Sequence, residues 1–224
     1  MLSRIRRFSQ IFQAAILSCV ISTLFAGVCY GQQQGNTLIL ISGGNTNPNS
    51  STSFSGGRNP AVSGNGLFIS YTATFPDLRP AISSDINAGD RQVISKANSD
   101  GSVREGLATS LSTDGMRGVF QSSINLIDPT SGSNGSNVYL NVRQSDQVSL
   151  ISRSFNLVAT PGNGRSRSPV ISGDGNSIVY ISDATDLTSD TFIPPPSSIY
   201  LFNGSGNTLI SRDINGPFAN CSSP

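Results

Sequence analysis

The side chains that could carry chemistry are few, and each sits in a pattern with a simpler reading. Histidine is absent, which removes His-dependent triads, imidazole acid–base catalysis and most zinc sites. Of the cysteines, Cys19 and Cys29 fall in the first thirty residues, leaving Cys221 with no base to activate it, so it reads as an inert thiol. Asp114 and Asp174 each precede a glycine and share one repeated position with Asn65. Turn geometry explains all three, because Asp and Asn side chains bond their own backbone two residues on. Gly162-Asn163-Gly164 and Gly204-Ser205-Gly206-Asn207 have the glycines of a phosphate cradle. Neither precedes a helical pattern or a following lysine, so both read as hairpin turns. Arg165 and Arg167 read as solvated loop charges, and Pro194-Pro195-Pro196 as a stiffened loop tip. No catalytic, metal or cofactor site is assigned, and no binding residue is named.

The elements that would position these residues come from an internal repeat. Ser168-Pro-Val-Ile-Ser-Gly-Asp-Gly-Asn-Ser-Ile-Val-Tyr-Ile-Ser182 reads as two short strands around a tight turn. The phrase occurs earlier from Asn59 to Ser70 and from Thr109 to Gln121. The first unit predicts strands at 60–63, 67–72, 81–85 and 91–96, and the second at 109–112, 117–122, 137–142 and 147–153. The third predicts them at 169–172, 177–182, 198–202 and 208–212. An Ile-Ser pair closes each unit, at Ile94-Ser95, Ile151-Ser152 and Ile210-Ser211, and also ends a leading strand, Thr37 to Ser42. Four short strands per repeat suit a β-propeller blade, which buries its faces only against neighbouring blades; a sandwich has no reason to repeat its sequence. The run Ile178-Val179-Tyr180-Ile181 is apolar on both faces, as expected of a strand sandwiched between two sheets. Pro60 and Pro169 are expected at the first residue of the innermost strands, where a missing N–H is tolerated.

The phrase resembles the TolB-like propeller repeat, a relative of the WD repeat found in exported bacterial proteins. Ala184-Thr185-Asp186-Leu187 is similar to that repeat's alanine-x-asparagine-leucine segment, as are Ser123-Ile124-Asn125-Leu126 and, loosely, Ala73 to Leu78. The resemblance implies an all-β propeller of about three four-stranded blades, with starts near Pro60, Thr109 and Pro169 over residues 59–224. It also implies an incomplete ring, since Ser223-Pro224 announces a further blade. Many members carry an acidic loop able to hold a cation, but here Asp190 runs into a proline tract, Ser198 replaces the second acid, and Asp128 faces Pro129. Two scattered carboxylates fall far short of the six or more oxygens calcium needs. TolB itself carries a separate α/β domain before its propeller, so the likeness lies in the repeats and not in the architecture.

Residues 1–31 have the parts of a secretory signal peptide: Arg4, Arg6 and Arg7, a diluted apolar run from Ala14 to Ala26, and small residues at Cys29 and Gly31. The apolar run is shorter than the roughly 20 residues a membrane span needs. Residues 32–58 then hold the leading strand and a polar loop. Removing the three arginines would turn a net charge of +1 slightly negative, and Lys96 is the single lysine, so no nucleic-acid footprint is present. Taken together, these features imply an exported, periplasmic or extracellular module without catalysis of its own, binding a protein or a glycan. Self-association through open blade faces is expected. The alternative is the propeller part of a larger secreted enzyme, a peptidase or lyase, whose catalytic residues lie elsewhere. The mature chain should begin at Gln32; N-terminal sequencing of exported protein that still starts at Met1 would overturn this.

Overall fold

A computed structural model describes residues 56–128, 135–189, 194 and 196–211. The segments expected as signal peptide and leading strand, with Asp190, Cys221 and Ser223-Pro224, lie outside the described residues. Twelve strands form three four-stranded antiparallel sheets. The first holds β1 (Gly57–Val62), β2 (Phe68–Ala73), β3 (Ala81–Asp85) and β4 (Arg91–Val93). The second holds β5 (Leu107–Leu111), β6 (Arg117–Ser122), β7 (Asn137–Val142) and β8 (Gln147–Leu150). The third holds β9 (Ser166–Ile171), β10 (Ile178–Ser182), β11 (Ser198–Phe202) and β12 (Asn207–Leu209). Strands pair in sequence order within each sheet, as a propeller blade requires.

The prolines do not begin the inner strands. Each inner strand starts two or three residues earlier than expected and carries a bulge, with the register breaking between Arg58 and Ala61, Leu107 and Ser110, and Arg167 and Val170. The first bulged residue is left-handed in all three blades: Asn59 at φ 51°, Ala108 at 51° and Ser168 at 53°. Two residues of the inner strand therefore oppose one on its neighbour, and Pro60 and Pro169 leave the ladder where no N–H is required. The single opposed residue is aromatic and buried each time: Tyr71, Phe120 and Tyr180, at 4%, 0% and 1% exposure.

The Ile-Ser pairs have a common job at the outer edge. Each serine Oγ turns back and accepts a backbone N–H from the third strand of its own blade: Ala81 N–H on Ser95, Val138 N–H on Ser152, and Ile199 N–H on Ser211, all at 2.9 Å. The preceding isoleucine packs toward the next blade. Ile94 joins Phe120, Leu126, Tyr139 and Leu150 in one core. Ile151 joins Ile178, Tyr180, Leu187 and Tyr200 in another. Ile210, with no described blade beyond it, is 49% exposed.

The turns that join inner strands to second strands also couple the blades. Asn65 N–H donates to Thr113 O at 2.9 Å, and Thr113 N–H donates to Gly173 O at 2.8 Å. A Cβ on Gly173 would stand 2.6 Å from Thr113 Oγ1, so a side chain there would turn the Thr113 hydroxyl aside.

Serine at the blade edge should matter in proportion to burial. Replacing Ser152 with alanine strands the buried Val138 N–H and should cost about 1–3 kcal/mol. The same change at Ser211, half-exposed on the third blade, should cost less than about 1 kcal/mol. Chemical denaturation of both variants checks the order, and an equal or reversed cost contradicts it.

Candidate functional site

The repeated turn residues come first, because their types could have meant catalysis. In each blade a serine hydroxyl donates to the turn carboxylate or amide: Ser63 to Asn65 Oδ1, Ser112 to Asp114 Oδ1, and Ser172 to Asp174 Oδ1. The same oxygen accepts a backbone N–H two residues on, from Leu67, Met116 and Asn176. The Ser112 hydroxyl, then the Met116 N–H, hold Asp114 below the usual carboxylate range. The Ser172 hydroxyl and Asn176 do the same for Asp174. These acids are turn-makers, poised away from proton transfer.

The loop between the second and third strands carries the Ala-Thr-Asp-Leu and Ser-Ile-Asn-Leu segments, and the structure gives them a role that the resemblance did not. Leu126 and Leu187 plug the inter-blade cores at 0% and 1% exposure. A buried tyrosine on the third strand clamps each loop: Tyr139 OH donates to Ile124 O at 3.0 Å, and Tyr200 OH donates to Ala184 O at 3.2 Å. Burial pushes the Tyr139 phenol up to about 12, so it remains a donor at any physiological pH. Blade one has Ile82 paired with Tyr71 in place of this tyrosine, which is why Ala73 to Leu78 matches only loosely.

Gly162-Asn163-Gly164 is not a hairpin turn. It lies in the linker from β8 to β9 and presses on the loop of the next blade, where a Cβ on Gly164 would stand 2.6 Å from Ala184 N. Asn163 is held there by three hydrogen bonds: its N–H donates to Asp186 Oδ1 at 2.9 Å, its side-chain amide donates to Thr185 Oγ1 at 2.8 Å, and its Oδ1 accepts the Thr185 N–H at 2.8 Å. The sequence pattern alone could not tell close approach from a turn. Gly204-Ser205-Gly206 does close a hairpin, between β11 and β12. Arg167 pairs with Asp183 at 3.0 Å, so its charge is answered within its own blade. Of the proline tract, Pro194 is buried and Pro196 exposed, while Pro195 lies outside the described residues. Asp128 is exposed, and among the described residues no cluster of three or more His, Cys, Asp or Glu could hold a metal ion. No helix among them is long and apolar enough to cross a membrane.

Two clefts lie at blade junctions. The larger, about 860 Å³, is open and lined by Asp90, Arg91, Gln92, Lys96 and Arg143 among others. Lys96, Asp90 and Arg143 are paired across the junction. Arg143 lies over the Phe68 ring at 5.2 Å and pairs with Asp90 at 2.6 Å. Lys96 and Gln92 both bond Asp146 at 2.7 Å. This cleft fastens blade one to blade two. The smaller, about 280 Å³, lies between blades two and three and is lined by Arg153, Phe155, Asn156, Val158, Leu187 and Asn207 among others. Beside it the linker offers Phe155, Leu157 and Val158 to solvent at 47%, 49% and 74% exposure. The corresponding linker of the preceding blade is polar: Asn98 bonds back to Val148, and Asp100 caps its own turn.

No protein-family model and no curated protein matches the chain. Solved structures do. TolB from Acinetobacter baumannii is similar at 19% identity and a TM-score of 0.46, over 73% of this chain and 33% of that one. The fold is that of a β-propeller. The β-propeller domain of the Trilobed protease from Pyrococcus furiosus is similar at 11% identity and a TM-score of 0.44, over 72% of this chain and 45% of that one. An oligogalacturonate lyase from Vibrio parahaemolyticus is similar at 13% identity and a TM-score of 0.41, covering 67% and 39% of the two chains. The propeller described here spans about a third of that TolB chain.

The turn acids give a pH dependence with a fixed sign. Their folded pKa values are lowered, so their stabilisation is present above the ordinary carboxylate range and is lost as pH falls through the lowered values. Asp174→Asn keeps the turn bonds, as Asn65 already does in blade one, and removes the titration. Melting temperature followed from pH 6 down to about pH 2 should fall less steeply for this variant than for the parent chain. Superimposable acid limbs would contradict the assignment.

Proposed function

We propose that the chain is an exported propeller module that binds another protein and performs no catalysis of its own. The observation that carries this reading is the linker of blade two. Its residues Phe155, Leu157 and Val158 are exposed at 47%, 49% and 74% beside a cleft floored by the buried Leu187, where the matching linker of blade one is polar and ties Asn98 back to Val148 O. Exposed apolar residues grouped on a rigidly backed loop mark interaction sites. The linker is rigidly backed: Phe155 N–H donates to Asp186 O at 2.7 Å, and Ser154 N–H to Thr160 O at 3.0 Å.

The chemistry favours protein over glycan. Sugar rings are held by flat aromatic faces and converging hydrogen-bond donors, whereas two of the three exposed side chains here are aliphatic. An apolar side chain of a partner protein, entering between Phe155 and Val158 with Leu187 beneath it, matches the cleft. Export is supported by the charged start and apolar run of residues 1–31, and the periplasm or cell exterior is the compartment in which such a module would work.

A photo-crosslinking residue placed at Leu157 in the exported chain should yield one discrete protein adduct, and Phe155→Ser with Val158→Ser should abolish it. An adduct that survives both substitutions, or glycan-array binding unaffected by them, would overturn the reading. Hydrolysis or elimination catalysed by the purified chain would instead favour the enzyme alternative.

A further inference from the structure

We propose that the cleft between blades two and three takes the C-terminal residue of its partner protein, with the terminal carboxylate on Arg153 and an aliphatic side chain on Leu187. The proposal rests on the reading of the blade-two linker as a protein-binding site, and it names what that site recognises.

The repeat shows which group the chain does not supply at this junction. Lys96 and Arg153 occupy one repeated position, each directly after an Ile-Ser pair. Lys96 reaches the β7–β8 hairpin of the next blade and pairs with Asp146 at 2.7 Å. Arg153 reaches the corresponding β11–β12 hairpin and meets a neutral carbonyl, Ser205 O at 3.1 Å. Asn141 pairs with Val148 and Phe202 with Asn207, so Asp146 and Ser205 both stand two residues before the paired position. Serine therefore replaces the acid that answers the cation one blade earlier. Among the described residues no carboxylate pairs with Arg153, and Arg153 is the one ionisable residue lining the cleft. Asp186, in the neighbouring loop, is taken up by the Ser154 hydroxyl and the Asn163 N–H.

A second exchange occurs at the same place. Asn98 and Asp100 of the first linker become Phe155 and Leu157 in the second, beside a cleft floored by Leu187. An unanswered cation next to an apolar floor is a receptor in two parts, one for an anion and one for an aliphatic group. Arg153 is held ready for the first. Its guanidinium lies over the Phe202 ring at 5.4 Å, and one nitrogen is fixed on Ser205 O. That orients the planar fork and leaves further N–H groups for a carboxylate. The Gly206 N–H, on a residue lining the same cleft, has no partner among the described residues and is a second donor.

The size of the cleft favours a chain terminus over an internal acid. At about 280 Å³ it lies at the small end of ligand clefts. A C-terminal residue carries its carboxylate and its side chain on one Cα, so it fills both parts alone, and the chain leaves in one direction. An internal acid needs a second residue for the floor and two exits for its backbone. Capture of a terminal carboxylate by fixed donors is a recurring mode of peptide recognition.

Fluorescence polarisation with the whole exported chain tests this. One labelled polar peptide is used in four forms: ending in free leucine, in leucine amide, in free lysine, and in leucine amide with an internal glutamate. The free-leucine form should bind, and either amidation or lysine should weaken it at least about tenfold. Arg153→Gln should weaken the free-leucine form by a similar factor and erase its advantage over the amide. Because Arg153 also holds the rim, Ser205→Asp is the second variant. It returns the acid to the exposed hairpin, and should weaken the free-leucine form at least about tenfold with no loss of melting temperature. No binding by the free-leucine form, equal binding of acid and amide, an internal glutamate that binds as tightly, or affinity unmoved by both variants would each overturn the proposal. The linker reading fails separately. It falls if photo-crosslinking at Leu157 yields no adduct, whereas an adduct that forms equally well in Ser205→Asp keeps that reading and sinks this one.

Discussion

A sheet with no polar face cannot stand in water alone, and everything else in this chain follows from that. The second blade alternates two sets of apolar residues, one facing the blade before and one the blade after. The first meets it partly through buried hydroxyls, Ser70 on Thr109 and Thr72 on Gly106 O. Val119 and Val138 face one way while Phe120 and Tyr139 face the other, and all four are fully buried. Each buried valine or isoleucine contributes roughly 1.5–3 kcal/mol relative to exposure, so the interface between blades, more than the ladder within one, holds the fold together. Hydrogen bonding is arranged to permit that stacking. The bulge removes proline from the ladder, the edge serines satisfy an N–H at the start of the third strand, and the clamping tyrosines pair their own hydroxyls before entering the core.

The polar contacts between blades are graded in the same way. Arg143 lays its guanidinium on Phe68 and ends on Asp90, and Arg153 repeats the move one blade later, over the Phe202 ring at 5.4 Å and onto Ser205 O at 3.1 Å. An arginine projecting from one blade onto an aromatic ring of its neighbour covers apolar surface with its stem and keeps its charge at the rim. These arginines are structural and hold the blade junctions together at the rim.

Much of this was legible in the sequence. Period, strand order and turn chemistry could be read from Asn65, Asp114 and Asp174 and from the Ile-Ser pairs, because those features are local and repeat. The strands lie within a few residues of expectation, the inner ones starting earlier because an extra residue in a bulge leaves no mark on an alternating pattern. What the sequence did not show depended on contact between distant residues. Gly164 needs to lack a side chain because of Ala184, twenty positions away in the chain, and a glycine pair looks the same in a turn. The exposure of Phe155, Leu157 and Val158 was likewise hidden, since three apolar residues in a linker read equally well as a plug. Their contrast with Asn98 to Gly101, at the same place in the preceding repeat, was the available signal.

Strand pairing that never leaves its own blade also has a kinetic side. Among the described residues every ladder joins strands adjacent in sequence, so each sheet can zip up from hairpins without waiting for a distant part of the chain. A polypeptide that emerges from a translocation pore beginning with its N-terminus would complete β1 to β4 before β9 has appeared, and each finished blade would then template the next. Such a stack behaves as a one-dimensional array, in which a member flanked on both sides is held from both. Hydrogen exchange in the native state would accordingly be slow in β6 and β7, which have a described blade on either side.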